Sequence, residues 1–202
     1  MAYFPFYTDI SGKRCVIIGG GTVALRKAQI ILDFGADVTV IAPKICYELE
    51  GLPVERIYRK FEDSDLDGAY FAVYAADDKE LSAHVHELCL KKHIMLNSVD
   101  DIDNCAFIFP AMVKKDNITI SISTGATSPV FAKYLKTRIE ELLDEHTLEV
   151  AALMTEYRNE IKKAFSNYDL RASANEILLE MCLNSDELPS DEKIRKVLGI
   201  RK

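Results

Sequence analysis

Three stretches of this 202-residue chain hold residue types whose spacing suits chemistry. The first is Val16-Ile17-Ile18-Gly19-Gly20-Gly21-Thr22-Val23-Ala24. An apolar run ends in three glycines and a helical pattern starts at once. Such a strand-turn-helix joint binds phosphate: Gly19 permits the tight turn, Gly21 lets backbone approach a bulky anion, and Ala24 keeps the helix close to the sheet. Unpaired N–H groups and the positive end of the helix dipole then face the anion. The second stretch, Asn97-Ser98-Val99-Asp100-Asp101, places carboxylates where a strand ends, a position suited to acid–base work. Asp100 lies nearest the strand, whereas Asp101 and Asp103 suit turn capping. The third, Thr124-Gly125-Ala126-Thr127-Ser128-Pro129, puts hydroxyls before a helix start with Lys133 and Lys136 one turn on, the makings of an anion site. By itself it reads equally well as a plain helix start.

The elements around these stretches decide how they are read. A first strand leads to a helix from about Thr22 to Phe34, with Leu25, Ala28 and Leu32 at helical spacing and Gly35 as a left-handed cap. Asp37 to Ala42 is a β-branched strand stopped by Pro43, which completes a β-α-β unit of dinucleotide-binding size. Strands follow at Val54–Tyr58, Tyr70–Ala75 and Ile94–Asn97. The helix between the last two starts at Asp77 or Asp78 and carries Leu81, Val85 and Leu88. The acidic stretch Glu62–Gly68 reads as a solvated turn or brief helix. Strands alternating with helices imply an α/β, Rossmann-like, doubly wound parallel sheet. Its carboxyl edge gathers Gly19–Thr22, Pro43, Ala75–Asp77 and Ser98–Asp100. A fingerprint acid for the ribose is missing after strand two, where Ala42, Pro43 and Lys44 stand. That leaves open NADP held by Lys44 or a ribose held by backbone groups.

Beyond Asp100 the pattern changes. Phe107–Val113 and Ile118–Ser123 read as a hairpin around Lys114–Asn117, a unit too small to stand without a partner surface. Ser128 as N-cap and Pro129 at the first helical position start the next helix. From His146 on the pattern is helical, with core stripes Val150, Met154, Tyr157, Ile161, Phe165 and Ala174, Ile177, Leu178, Met181. The expected division is a dinucleotide-binding domain over 1–112, a small α+β dimerisation and substrate segment over 113–145, and a helical C-terminal domain over 146–202.

Charge and cysteines narrow the function classes. The net charge is −7, yet residues 113–140 hold 5 basic and 2 acidic groups. An acidic protein with one basic segment is a poor nucleic-acid binder but can hold a polyanionic small molecule. The five cysteines are scattered without a Cys-x-x-Cys pair, which argues against disulfides or a zinc cluster. His84 and His86 diverge on their helix, and no metal site is expected. Without a secretory-type start or an apolar run of about 20 residues, the expected location is cytoplasmic.

Taken together, Val16–Ala24 with Arg26-Lys27-Ala28, Gly35–Pro43, Asn97–Asp101 through Cys105–Ala111, and Ser121–Pro129 resemble the N-terminal region of siroheme synthases, the precorrin-2 dehydrogenase family. The resemblance covers about residues 3–145 in order. It implies oxidation of precorrin-2 to sirohydrochlorin with NAD as cofactor, a homodimer built through the middle segment, and Asp100 as the catalytic carboxylate. Cofactor contacts then fall to Gly19, Gly21, Thr22, Val23, Ala24, Pro43, Lys44, Ala75 and Ala76. Contacts to the polycarboxylate tetrapyrrole fall to Thr124, Gly125, Thr127, Ser128 and Lys133. The chain departs from the family in having Ala126 where Gly is frequent. Two alternatives stand beside this reading: an enzyme that also inserts Fe²⁺ into sirohydrochlorin, and a non-catalytic dinucleotide-sensing module.

Overall fold

A computed structural model of the chain describes residues 3–99, 101–125, 127–185 and 187–200. The chain divides into two compact units, Met1–Phe109 and Pro110–Lys202.

The first unit is a five-stranded parallel sheet in the order β3-β2-β1-β4-β5. The strands are β1 (Arg14–Ile18), β2 (Asp37–Ile41), β3 (Glu55–Ile57), β4 (Phe71–Tyr74) and β5 (Met95–Ser98). Helices α1 (Thr22–Leu32), α2 (Tyr47–Glu50) and α3 (Lys79–Lys92) make the connections. Side chains of β1 alternate between two cores, as a strand covered on both faces requires. Cys15 and Ile17 join Val38, Val40 and Val73 under α1, while Val16 and Ile18 join Ala72, Tyr74 and Leu96 under α3. Burial of each large aliphatic side chain contributes about 1.5–3 kcal/mol. The last residues of the strands pair in one row, Ile57, Ile41, Ile18, Tyr74 and Ser98. The residues that follow them therefore share one carboxyl edge.

Sequence expectations of where these elements lie hold to within one to two residues at most ends. On α1 the buried line is Ala24, Ala28 and Ile31, with Leu25 and Leu32 flanking. Small residues at Ala24 and Ala28 let the helix lie against the sheet, which moves the buried face by one position. Gly35 takes the left-handed conformation expected of it (φ +75°), and Asp78 caps α3 by accepting from the Leu81 amide at 3.0 Å. The acidic stretch is not simply solvated. It forms a short 3₁₀ turn in which Asp65, 5% exposed, accepts two hydrogen bonds from Arg59 at 2.7 and 2.6 Å.

The second unit opens with a hairpin, β6 (Ala111–Lys115) and β7 (Ile118–Ile122), turned at Asp116 in the left-handed region (φ +48°). The expected first strand, 107–113, starts later and runs further. Phe107 and Phe109 belong instead to the first unit, where Phe107 meets Phe71 edge-on at 5.1 Å. Pro110, which has no amide to donate, follows them. Helix α4 (Pro129–Leu142) covers the hairpin. Lys115 Nζ donates to the carbonyls of Glu140 and Leu143 at 3.1 and 2.6 Å, satisfying the end of α4. Helices α5 (Glu145–Ala164), α6 (Tyr168–Leu183) and α7 (Asp191–Leu198) then pack around Tyr157, Ile161, Leu178 and Ile194. On α6 the buried line is Ala174, Leu178 and Cys182, whereas Ile177 is exposed. No helix among the described residues is long and apolar enough to cross a membrane.

Candidate functional site

The glycine loop sits where β1 meets its two neighbours, and each glycine there has a different reason. Gly19 adopts φ +129°, and a Cβ on it would lie 2.2 Å from the Ala75 carbonyl oxygen after β4. A Cβ on Gly20 would lie 2.2 Å from the Lys44 carbonyl oxygen after β2. The Gly20 carbonyl also accepts from the Cys46 amide at 2.8 Å, so the loop after β2 closes onto the glycines. Gly21 differs: it is exposed, its φ is −90°, and nothing lies within 4 Å of a Cβ built there. Two glycines thus seat the loop between strands, and the third leaves open space at the start of α1. Among the described residues no side chain caps that start, so its first amides are available to an anion.

A cleft of about 470 Å³ opens on the carboxyl edge at the ends of β4 and β5. Val23 of α1, Tyr74 to Lys79, and Val99, Asp101 and Asn104 line it. Of the cleft's lining Ala76 is exposed; Thr22, next to Val23, is exposed outside that lining, and Ala24 is wholly buried, packing α1 on the sheet. Pro43 and Lys44 are exposed at the end of β2. Tyr74 donates to the Asp78 carbonyl at 2.5 Å. Burial and the nearby Asp78 carboxylate push its phenol up from the usual range.

The segment after β5 is held by a network. Ser98 Oγ meets Ser82 Oγ of α3 at 3.2 Å, and the Val99 amide donates to the Tyr74 carbonyl at 2.9 Å. Asp101 precedes a 3₁₀ turn over Ile102–Asn104, but its carboxylate accepts from Asn104 Nδ2 at 2.7 Å and makes no side-chain cap bond to the turn's backbone. Asp100 lies outside the described residues. Cys105 and Lys27 also belong to this neighbourhood. The Cys105 thiol bonds to the backbone of Ser98 and Asp101. The Lys27 ammonium stands 3.9 Å from the centre of the Phe109 ring, and burial lowers its pKa. The sequence places both inside the family-like stretches, Lys27 in Arg26-Lys27-Ala28 and Cys105 in Cys105–Ala111, but gives neither a role.

The loop before α4 belongs to the second unit and is closed on itself. Thr124 Oγ1 donates to the Ser128 carbonyl at 3.2 Å, and Thr127 Oγ1 donates to the Thr124 carbonyl at 2.6 Å. Ser128 caps α4 by accepting from the Phe131 amide at 3.2 Å. Gly125 takes φ +61°, and Ala126 lies outside the described residues. Lys136 pairs with Glu140 at 3.6 Å, whereas Lys133 is exposed with no ion pair among the described residues. No cluster of three metal-ligating side chains occurs among the described residues.

A family described as "Putative NAD(P)-binding" matches residues 6–111. The siroheme synthase of Thioalkalivibrio sulfidiphilus is 38% identical over 184 residues, 89% of this chain and 38% of that protein. That of Photobacterium profundum is 33% identical over 175 residues, 85% of this chain and 37% of that protein. The chain thus spans less than two fifths of the length of these relatives. Among solved structures it is similar to "SirC, precorrin-2 dehydrogenase", with a TM-score of 0.76 at 22% identity over 98% of both chains. That likeness establishes the fold.

Proposed function

Because this chain belongs to the NAD(P)-binding family found in siroheme synthases and precorrin-2 dehydrogenase, we propose that it oxidises precorrin-2 to sirohydrochlorin with NAD⁺. One observation carries the reading. The glycine-loop helix, the end of β4 and the segment around Asp100 open onto a single cleft. An oxidant and a proton-transferring carboxylate have to meet in one place, and this cleft has the elements of both.

The residues fit a dinucleotide. Gly21 leaves room for a pyrophosphate, and the amides of Thr22, Val23 and Ala24 point the start of α1 at it. Ala75 and Ala76 offer a small, close wall. Backbone groups near Pro43 and Lys44 hold the ribose in place of the missing acid. When bound, the nicotinamide accepts a hydride. Asp100 takes or relays the proton that leaves the tetrapyrrole with it, so that two electrons and two protons depart in all. A placed carboxylate of this kind contributes about 10²–10⁴ in rate. Thr124, Gly125, Thr127, Ser128 and Lys133 form the substrate loop. Lys133, exposed and without an ion pair among the described residues, suits a carboxylate. The working form is a homodimer. Val130, Phe131 and Tyr134 of α4 are 81%, 52% and 57% exposed, an apolar face that a second copy would cover.

The test is anaerobic turnover of precorrin-2 with NAD⁺, followed as NADH formation. Asp100→Ala is expected to lose at least about a hundredfold in rate while still binding NAD⁺. Retention of the parent rate by that variant refutes the role of Asp100. Absence of turnover by the parent protein refutes the dehydrogenase reading.

A further inference from the structure

The half-buried lysine and arginine side chains of the first unit follow one rule with one exception. Arg14 donates to the carbonyls of Asp65 and Asp67 at 2.9 Å each, and Arg56 donates to those of Glu50 and Leu52 at 2.8 and 2.9 Å. Arg59 pairs with Asp65. Lys27 is half-buried too, yet its ammonium has no hydrogen bond or ion pair among the described residues. Its neighbour is the Phe109 ring, 3.9 Å from Nζ to the ring centre. A ring face attracts the charge but accepts none of the three N–H bonds in the usual way. Burial lowers the Lys27 pKa, because the charged form has lost water without gaining a carboxylate. A charge in this state gains most from an anion that arrives from outside.

The position of Lys27 indicates which anion. It follows Val23 by one helical turn, and Val23 lines the cleft. Helical side chains lean toward the N-terminus of their helix, so the Lys27 stem runs back toward that turn. On its other flank stands Cys105, whose thiol bonds to the backbone of Asp101, a second cleft-lining residue. Lys27 thus borders the cleft where α1 meets the segment after β5. The cleft lining itself carries Asp77, Asp78 and Asp101 against Lys79. A polycarboxylate entering it meets like charge and needs a cation at the edge. The first amides of α1, which suit a pyrophosphate, lie about 7.5 Å further back along the helix axis, while Phe109 holds the ammonium at the seam.

We propose that Lys27, seated on the Phe109 ring, is a substrate-binding residue whose ammonium takes one side-chain carboxylate of the tetrapyrrole and so fixes which edge of the macrocycle enters the cleft. The identity of the ligand rests on the dehydrogenase reading.

The experiment compares the parent full-length chain with Lys27→Met, Lys27→Gln and Lys27→Arg. Sirohydrochlorin is titrated anaerobically without NAD⁺ and followed by absorbance, NAD⁺ affinity is read by calorimetry, and KM and kcat come from NADH formation with precorrin-2. In Lys27→Met, loss of a charge-assisted hydrogen bond should weaken sirohydrochlorin binding about tenfold to a hundredfold. KM should rise by a similar factor with kcat within about threefold of the parent, and NAD⁺ affinity should stay within about twofold. Methionine keeps an apolar stem against the ring, so the melting temperature should not fall. Salt should weaken sirohydrochlorin binding less in Lys27→Met than in the parent. Lys27→Arg, which keeps the charge, should retain part of the affinity, and a loss as deep as that of Lys27→Met overturns the pairing. Parent sirohydrochlorin affinity in Lys27→Met overturns the subsite, and so does a loss confined to NAD⁺ affinity, which assigns the ammonium to the dinucleotide. If the parent itself does not bind sirohydrochlorin, the dehydrogenase reading fails and the subsite with it; if the parent binds and Lys27→Met binds equally, the subsite alone fails. If Lys27→Met does not fold, Lys27→Gln decides by the same criteria.

Discussion

Adding one methyl group to Gly19 and to Gly21 should separate what the glycine loop does for the fold from what it does for the ligand. At Gly19 the backbone stands at φ +129° and the new Cβ meets the Ala75 carbonyl at 2.2 Å. The conformation alone costs an L-residue about 1–3 kcal/mol, and forcing β1 and β4 apart adds about 1–3 kcal/mol of overpacking. Against a typical stability of about 5–15 kcal/mol, Gly19→Ala should lower the melting temperature by roughly 10 °C or more. At Gly21 the backbone conformation is open to any residue and the Cβ meets nothing. Its unfolded-state entropy gain of about 0.4–1 kcal/mol offsets the loss of a tolerated N-cap glycine, a few tenths to about 1 kcal/mol. Gly21→Ala should therefore melt within a few degrees of the parent. Its methyl nevertheless occupies the space assigned to pyrophosphate, and NAD⁺ affinity should fall at least about tenfold, or about 1.4 kcal/mol. Thermal unfolding followed by circular dichroism and NAD⁺ titration by calorimetry read the two effects. A Gly19→Ala protein as stable as the parent, or a Gly21→Ala protein that binds NAD⁺ as the parent does, refutes the reasoning.

Two further outcomes concern stability. The Arg59 guanidinium holds the buried Asp65 carboxyl below the usual carboxylate range. A folded-state pKa below the unfolded one stabilises above about pH 4 and is lost as pH falls through the folded value. Acid unfolding of the parent should accordingly steepen below about pH 4, and Asp65→Asn should flatten that limb while lowering stability at neutral pH; an unchanged acid limb contradicts the assignment. In the helical region Arg195 donates to Asp191 at 2.8 Å and pairs with Glu160 at 2.8 Å, while the Tyr157 hydroxyl also bonds Asp191. Arg195→Met should release α7 from α5, seen as faster amide exchange over 191–198 with the first unit's exchange unaltered, and parental exchange in α7 would count against the tie.

The apolar run of β1, the β-branched run of β2, the glycine triplet and the Ser128–Pro129 start were legible because each is local. A strand buried on both faces must be apolar throughout, a left-handed turn favours glycine, and a helix start needs a side-chain acceptor. The same locality made the carboxyl edge predictable, since parallel strands joined by right-handed crossovers put Gly19, Ala75 and Val99 on one side. What the residues next to one another could not reveal was decided by contacts across the fold. The acidic run around Asp65 read as solvated until Arg59 brought a buried partner. Phe107 read as strand until the Phe71 ring claimed it. That a Cβ on Gly19 would also strike the Ala75 carbonyl depends on a group that arrives from a distant part of the sequence. Cys105 looked like one of five scattered thiols, and only the return of the chain to Ser98 gave its sulfur anything to hold. Local sequence determines which backbone conformations and buried faces are possible. Tertiary structure decides which atoms become partners, because that depends on where distant segments arrive.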